Sequence, residues 1–292
     1  VEGEGSAMSV TAEAMPAAAK SEGVAAVKVK RILTHLAIFV VVIATWELLG
    51  AMGQLNDLIL PAPSAIGYAI VQLYFVTGKI WWHFFVTMFE AVAGFAIGAG
   101  IGVTLAIVAG LNPTFRRYIA PYVVVVQVTP LIAVAPLMIA WFGFGWSSKI
   151  AIAALVCFFA PFVNTLTGLL NIDQDAEEMF RSLGAAKRQV FWKLMLPSSI
   201  PIIMAGLKTA MALALIGAVV GEFISASEGV GILMQRASFA LNIAESIAVL
   251  LSMALMGIIL YAAMEILDDR IVFWRRDARM QAVSRRRAAA WR

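Results

Sequence analysis

Charged side chains are scarce. Asp, Glu, Lys and Arg make up 14% of the 292 residues, against about 25% in an ordinary soluble domain. So little polar surface cannot cover a chain of this size in water, which excludes a soluble globule. Cysteine is almost missing. Cys157 stands alone, so an internal disulfide and a cysteine-rich metal site are both excluded. It lies in an apolar run and reads as a small packing residue. The only histidines, His35 and His83, fall at opposite faces of different apolar runs, so no histidine-based catalytic or metal set is expected. No Gly-x-x-x-x-Gly-Lys-Ser/Thr loop is present, and the chain has no means of cradling nucleotide phosphates itself.

What is abundant is apolar sequence, at 62% of residues. A hydrocarbon core about 30 Å thick needs about 20 helical residues. Six runs meet that length: Ile32 to Gly53, Phe84 to Gly110, Tyr118 to Phe144, Ile150 to Leu170, Ile200 to Phe223 and Ile243 to Ile266. The expected fold class is all-α, a polytopic membrane protein with six transmembrane helices. The expected division is a disordered cytoplasmic tail over 1–31 without a signal-peptide core, a first span over 32–55, a periplasmic turn and interfacial helix over 56–82, a five-helix core over 83–268 and a basic cytoplasmic tail over 269–292.

The net charge of +4 follows membrane topology and is no sign of nucleic acid. Of the 22 Lys and Arg, all but Lys79, Lys149 and Arg236 fall on one side of an alternating six-span arrangement. The positive-inside rule then places both termini in the cytoplasm.

Local features refine this plan. Leu60-Pro-Ala-Pro-Ser64 reads as a rigid outer turn, because proline cannot continue a helix. Residues 65–79 follow as a helix lying on the outer interface, with Trp81 and Trp82 at headgroup level. Gly94, Gly98 and Gly102 are each four apart, a spacing that lets another helix backbone approach closely. Gly98, Gly100 and Gly102 imitate a dinucleotide loop but lack its strand and turn context. Pro121, Pro130 and Pro136 should kink the third span. Gln127 and Thr129 beside that kink are candidates for a polar pathway, with helix–helix hydrogen bonding as the competing role. Glu222 and Glu90 are the other intramembrane candidates, since a buried acid is costly unless paired or hydrated. Glu47 reads as interfacial.

The most patterned segment lies between the fourth and fifth spans. Met179, Phe180, Leu183, Val190, Phe191 and Leu194 recur at roughly helical spacing, with Glu178, Arg181, Lys187, Arg188 and Lys193 between them. Gly184 allows a tight bend between two short helices. Pro197 suits the first turn of the fifth span, where its missing N–H costs nothing. The plain alternative is an amphipathic connector lying on lipid.

In Glu178, Gly184, Leu194 and Leu196-Pro197 this segment resembles the EAA loop of type I ABC importer permeases. Leu60-Pro-Ala-Pro-Ser64, Pro130 through Pro136-Leu-Met with Trp141-Phe-Gly-Phe-Gly145, Gly229-Val-Gly231 and Trp274-Arg-Arg276 narrow the likeness to the nitrate, sulfonate and taurine branch. It covers about Leu60 to Arg276. The resemblance implies a type I permease fold, an EAA-like loop over 171–197, and ATPase-coupling roles for Glu178, Phe180, Arg181, Leu183, Gly184, Ala185, Leu196 and Pro197. It implies a second copy of the chain, two ATP-binding-cassette ATPases and a periplasmic binding protein as partners in a bacterial inner membrane, with no cofactor and no catalytic residue here. An ATP-independent carrier or a membrane-embedded enzyme is the alternative. Two departures stand out. Met179 and Phe180 replace the alanines after the EAA glutamate, and Glu90 stands where relatives often carry a basic residue. An acid at that position sets the chain apart from relatives whose basic residue would suit an anionic substrate.

Overall fold

A computed structural model describes residues 17–225 and 227–274. All the regular elements among them are helical. Five helices are long and apolar enough to cross a membrane, and a bent pair supplies a sixth crossing if it counts as one span.

The chain divides into two compact units, residues 1–65 and 66–292. The first holds α1, Ala17–Ala51. Its membrane-competent stretch is Leu33–Ala51. The helix begins at Ala17, so residues 17–31 are helical where a disordered tail was expected. Residues 1–16 of that tail lie outside the described residues. Glu47 clasps the proline-rich turn: its Oε2 accepts from the Ser64 N–H at 3.0 Å and its Oε1 from the Ser64 hydroxyl at 2.7 Å.

The second unit opens with most of α2 (Pro63–Val71) and a π-helical turn, Gln72–Val76. Gly78, at φ 60°, starts α3, Lys79–Leu111. The Trp81 indole N–H donates to the Tyr74 carbonyl at 3.0 Å and pins that corner. Asn112 then caps α4 (Pro113–Val128), its Oδ1 accepting from the Thr114 and Phe115 amides, with Pro113 at the first helical position. There proline's missing donor is no loss.

The third span is broken, not merely kinked. Helix α4 and α5 (Leu131–Phe142) meet at 106°. Pro130 excludes its predecessor from helical geometry, and Thr129 is extended, at φ −70° and ψ 127°. Helices α6 (Trp146–Cys157) and α7 (Phe159–Leu170) follow as one crossing of 25 residues.

That crossing lies between the small-residue faces of two others. A Cβ on Gly94 would meet Ala153, one on Gly98 would meet the Ala154 carbonyl and Cys157 Sγ, and one on Gly102 would come within 2.6 Å of the Phe158 carbonyl. The close approach expected of these glycines is therefore made to α6 and α7 of the same chain. From the other side, Gly206 abuts Asn164 and Gly217 abuts Ala153 and Val156. These two belong to α10, Leu196–Ser225. Cys157 is fully buried in this seam. The helical order closes with α11 (Val230–Phe239) and α12 (Ile243–Ile271). Val230, Val249, Met256, Met211 and Leu215 join these to the main apolar core. Lys208 on α10 bonds both Glu265 and Asp268 on α12 at 2.6 Å. The expected basic tail lies outside the described residues from 275 onward.

Candidate functional site

Two constellations sit at opposite ends of α10. The first is the patterned segment. Asp173 opens α8 (Gln174–Ser182) by accepting from the Asp175 amide at 3.0 Å, and Asp175 and Glu177 occupy the first turn. Acids there favour the positive end of the helix dipole. Arg181 closes the helix and pairs with Glu177 at 2.6 Å. The stop is a paired-bond glycine cap. The Ala185 amide reaches the Phe180 carbonyl at 3.0 Å, and the Gly184 amide reaches the Arg181 carbonyl at 2.9 Å. Gly184 has φ 74°, the left-handed region that this cap requires. The expected bend is where the sequence placed it.

Beyond the bend, the Gln189 side chain accepts from the Ala186 amide at 2.8 Å and starts α9 (Lys187–Val190). The second short helix does not end before the fifth span. It runs through a π-helical turn, Phe191–Met195, directly into α10. The crossing is continuous from Lys187 to Ser225, and Pro197 is the second residue of α10, in its first turn as expected, directly after the π turn. The wider turn beforehand absorbs the local misfit, as π-bulges do. No residue of α8 is buried. Leu183 is 79% exposed and Met179 is 52% exposed. Glu178 is exposed, while Phe180, Ala185, Leu196 and Pro197 are half-buried. A cavity of about 620 Å³ lies beside the segment, lined by Leu111, Pro113, Glu177, Arg181, Lys187 and Met195 among others.

The second constellation is buried. Glu90 on α3 and Glu222 on α10 are both 0% exposed. Lys149, in the first turn of α6, places its Nζ 3.5 Å from Glu90 Oε1. Among the described residues neither Glu90 oxygen meets hydrogen-bond geometry, so the ionic contact is its main compensation. The two carboxyls interact electrostatically. Glu222 is tied more firmly. Its Oε1 accepts from the Thr87 hydroxyl at 2.5 Å and its Oε2 from the Gly231 amide at 2.5 Å. Thr87 Oγ in turn accepts from the Val230 amide at 2.8 Å, and His83 Nδ1 accepts from the Gly229 amide at 2.9 Å.

Of the four pathway candidates, the structure brings Glu90 and Glu222 together. Gln127 is exposed on α4, and the Thr129 hydroxyl donates within its own helix to the Val125 carbonyl at 2.7 Å. Sequence reasoning missed Lys149, Thr87 and His83 as members of the cluster. Starting the fourth span at Ile150 left Lys149 in a loop. The α6 boundary at Trp146 puts it one turn inside a helix. The usable signal was a lone lysine beside an apolar run that faces two intramembrane acids.

The two constellations thus belong to a bundle of membrane-length helices with an exposed αα turn at one end of a core helix. The chain belongs to the family described as binding-protein-dependent transport system inner membrane component, whose model matches residues 98–273. A formylaminopyrimidine transport permease of Halalkalibacterium halodurans is 33% identical over 239 residues, 82% of this chain and 94% of that protein. A Bacillus subtilis permease named for aliphatic sulfonates transport is 31% identical over 80% of this chain and 85% of its own length. The taurine transport system permease of Escherichia coli is 25% identical over 84% and 90% respectively. The fold is similar to that of a chain in inward-facing structures of the MetNI methionine ABC transporter, with a TM-score of 0.55 at 19% identity over 69% of this chain and 98% of that one. The protein is thus a multi-pass inner-membrane permease subunit of an ABC importer, and not an enzyme.

Proposed function

We propose that two copies of the chain enclose a path for a small solute, a sulfonate, taurine, nitrate or similar compound delivered by a periplasmic binding protein. Two ATPase subunits dock beneath, each receiving the segment Glu178 to Pro197. The termini face the cytoplasm on the same reading, in keeping with the distribution of Lys and Arg. Relatives named for sulfonate and taurine transport support the substrate class.

The observation that carries the coupling role is the ordered but unburied αα turn. Its cap is fully formed, yet Leu183 and Met179 stand in the open. An apolar side chain of that size gains about 1.5–3 kcal/mol when covered. Arg181 and Glu178 supply polar rim contacts that fix register, as at other interfaces. ATP binding on the partner moves the turn, and the cavity changes the side to which it opens. Gln127 and Thr129 line the path on this reading, and Glu222 and Glu90, both enclosed, border it from within the bundle. The test is recovery of the ATPase with wild-type, Phe180→Ala and Gly184→Asp permease. Loss of ATPase from membrane-inserted variants supports docking, and full recovery with full transport refutes it.

A further inference from the structure

Helix α11 has no cap of its own. The first amides of any helix lack intrahelical acceptors, and the usual remedy is a Ser, Thr, Asp or Asn at the cap position. Here that position is Gly229, which has no side chain to offer. The acceptors come instead from two other helices. His83 and Thr87 on α3 take the Gly229 and Val230 amides, and Glu222 on α10 takes the Gly231 amide. The Thr87 hydroxyl proton goes to Glu222 Oε1, the nearer acceptor at 2.5 Å against 3.1 Å for the His83 carbonyl. The hydroxyl is therefore used in both directions and closes the ring. His83 serves only as the neutral imidazole with its proton on Nε2.

The seat is also sterically full. A Cβ on Gly229 would run into the Glu222 carboxylate, and one on Gly231 would come within 2.7 Å of Oε2. Two further bonds run from α11 to the outer end of α10 and the residues just after it: Gln235 Nε2 to the Phe223 carbonyl at 3.1 Å, and Arg236 Nη2 to the Ser227 carbonyl at 3.2 Å. Glu222 is three residues from the end of a crossing that is unbroken from Lys187. At 1.5 Å per residue those 39 residues span about 58 Å.

We propose that His83, Thr87 and Glu222 are positioning residues for transport, which lock α11 to the outer ends of α3 and α10 so that α11 reports the motion of the coupling turn at the far face of the membrane. The inference rests on the coupling reading of the αα turn. One continuous helix, with the π turn Phe191–Met195 and Pro201 inside it, carries the turn at one end and Glu222 at the other. Displacement at Lys187 is delivered to Glu222, and the carboxylate drags the α11 amides with it. A self-capped α11 would have been held to α10 and the residues after it only by Gln235, Arg236 and apolar packing.

The test has two arms, both on the permease purified with its ATPase in lipid nanodiscs. In the first, hydrogen exchange is followed at the Gly229, Val230 and Gly231 amides. Thr87→Val and Glu222→Gln should speed it by at least about tenfold, as expected when a local opening becomes easier. Thr87→Ser, which keeps the hydroxyl, should match the parent. In the second, nitroxide labels are placed on Leu183→Cys and Phe239→Cys, with labelled chains diluted among unlabelled ones. The parent should give one narrow distance in nucleotide-free and in ATP–vanadate-trapped states. Thr87→Val and Glu222→Gln should broaden it, a change in geometry that mere loss of stability would not produce. Unchanged exchange in both variants overturns the seat. A parent distance that shifts on trapping by more than one helical turn, about 5.4 Å, overturns the lever, as does an unbroadened distance in both variants. If no ATPase accompanies the parent, the coupling reading fails and takes the lever with it, while the exchange arm, run on permease alone, still judges the seat.

Discussion

Lys149 Nζ stands 3.5 Å from Glu90 Oε1, with the two side chains 3% and 0% exposed. The pair joins the first turn of α6 to α3, with both side chains enclosed by protein. Removing one member of a buried pair strands the other, which costs about 3–5 kcal/mol. Lys149→Met should therefore lower the unfolding temperature sharply. Adding Glu90→Gln to that variant should recover most of the loss. Thermal unfolding of the parent, both single variants and the double variant in detergent checks this. A double variant no more stable than Lys149→Met would show that the two side chains are not coupled.

The glycine seam yields a contrast within a single helix. Gly98 has no room for a Cβ, whereas Gly100 has nothing within 4 Å of one. Gly98→Leu should impair folding, and Gly98→Ala should cost about 1–3 kcal/mol through overpacking. Gly100→Ala should be neutral or gain up to about 1 kcal/mol from helix propensity. Comparing the yield of folded protein and the melting temperature separates the two positions. Equal behaviour would mean that α3 does not pack on α6 and α7 as described.

Leu183 and Gly184 separate burial from conformation at the αα turn proposed to dock the ATPase. Leu183→Ala should weaken ATPase recovery without changing permease stability, because its side chain is open here. Gly184→Ala meets no neighbour but must hold φ 74°, which costs an L-residue about 1–2 kcal/mol. It should weaken recovery by deforming the bend. ATPase pull-down at graded detergent stringency reads both effects.

Thiol accessibility tests the pathway residues. In a Cys157→Ala background, Gln127→Cys should react with a small charged thiol reagent, since Gln127 is exposed on α4. Glu222→Cys should stay protected, since Glu222 is enclosed by Thr87 and α11. Protection of Gln127→Cys in both nucleotide-free and ATP-bound states would remove α4 from the path.

Orientation is checked by a reporter active only in the periplasm, fused after Arg292. It should stay silent. Activity there would invert the membrane sides assigned to α8 and to α11.

The amino-acid sequence alone determined which stretches are long and apolar enough to cross a membrane and where the αα turn bends. Both are local properties. Apolar runs of the right length have few alternatives in a bilayer, and a glycine after an amphipathic turn is a near-sufficient stop signal. Membrane class, helix order and family likeness were legible for the same reason. Tertiary structure decided the rest. Proline at 130 announced a disturbance, but whether the span bends or breaks depends on what packs against each half. The join of α9 to α10 was not legible, because the π turn between them has no sequence signature of its own. The spacing of Gly94, Gly98 and Gly102 promised a close neighbour without saying which, and only the packed bundle identified α6 and α7. The polar cluster was hidden most completely. Thr87, Lys149, Glu222 and Gly231 are far apart along the chain or turned to different faces, and their pairing depends on three crossings and α11 meeting at one depth. A buried charge has to find its partner in space, and no periodicity along one helix records where that partner will be.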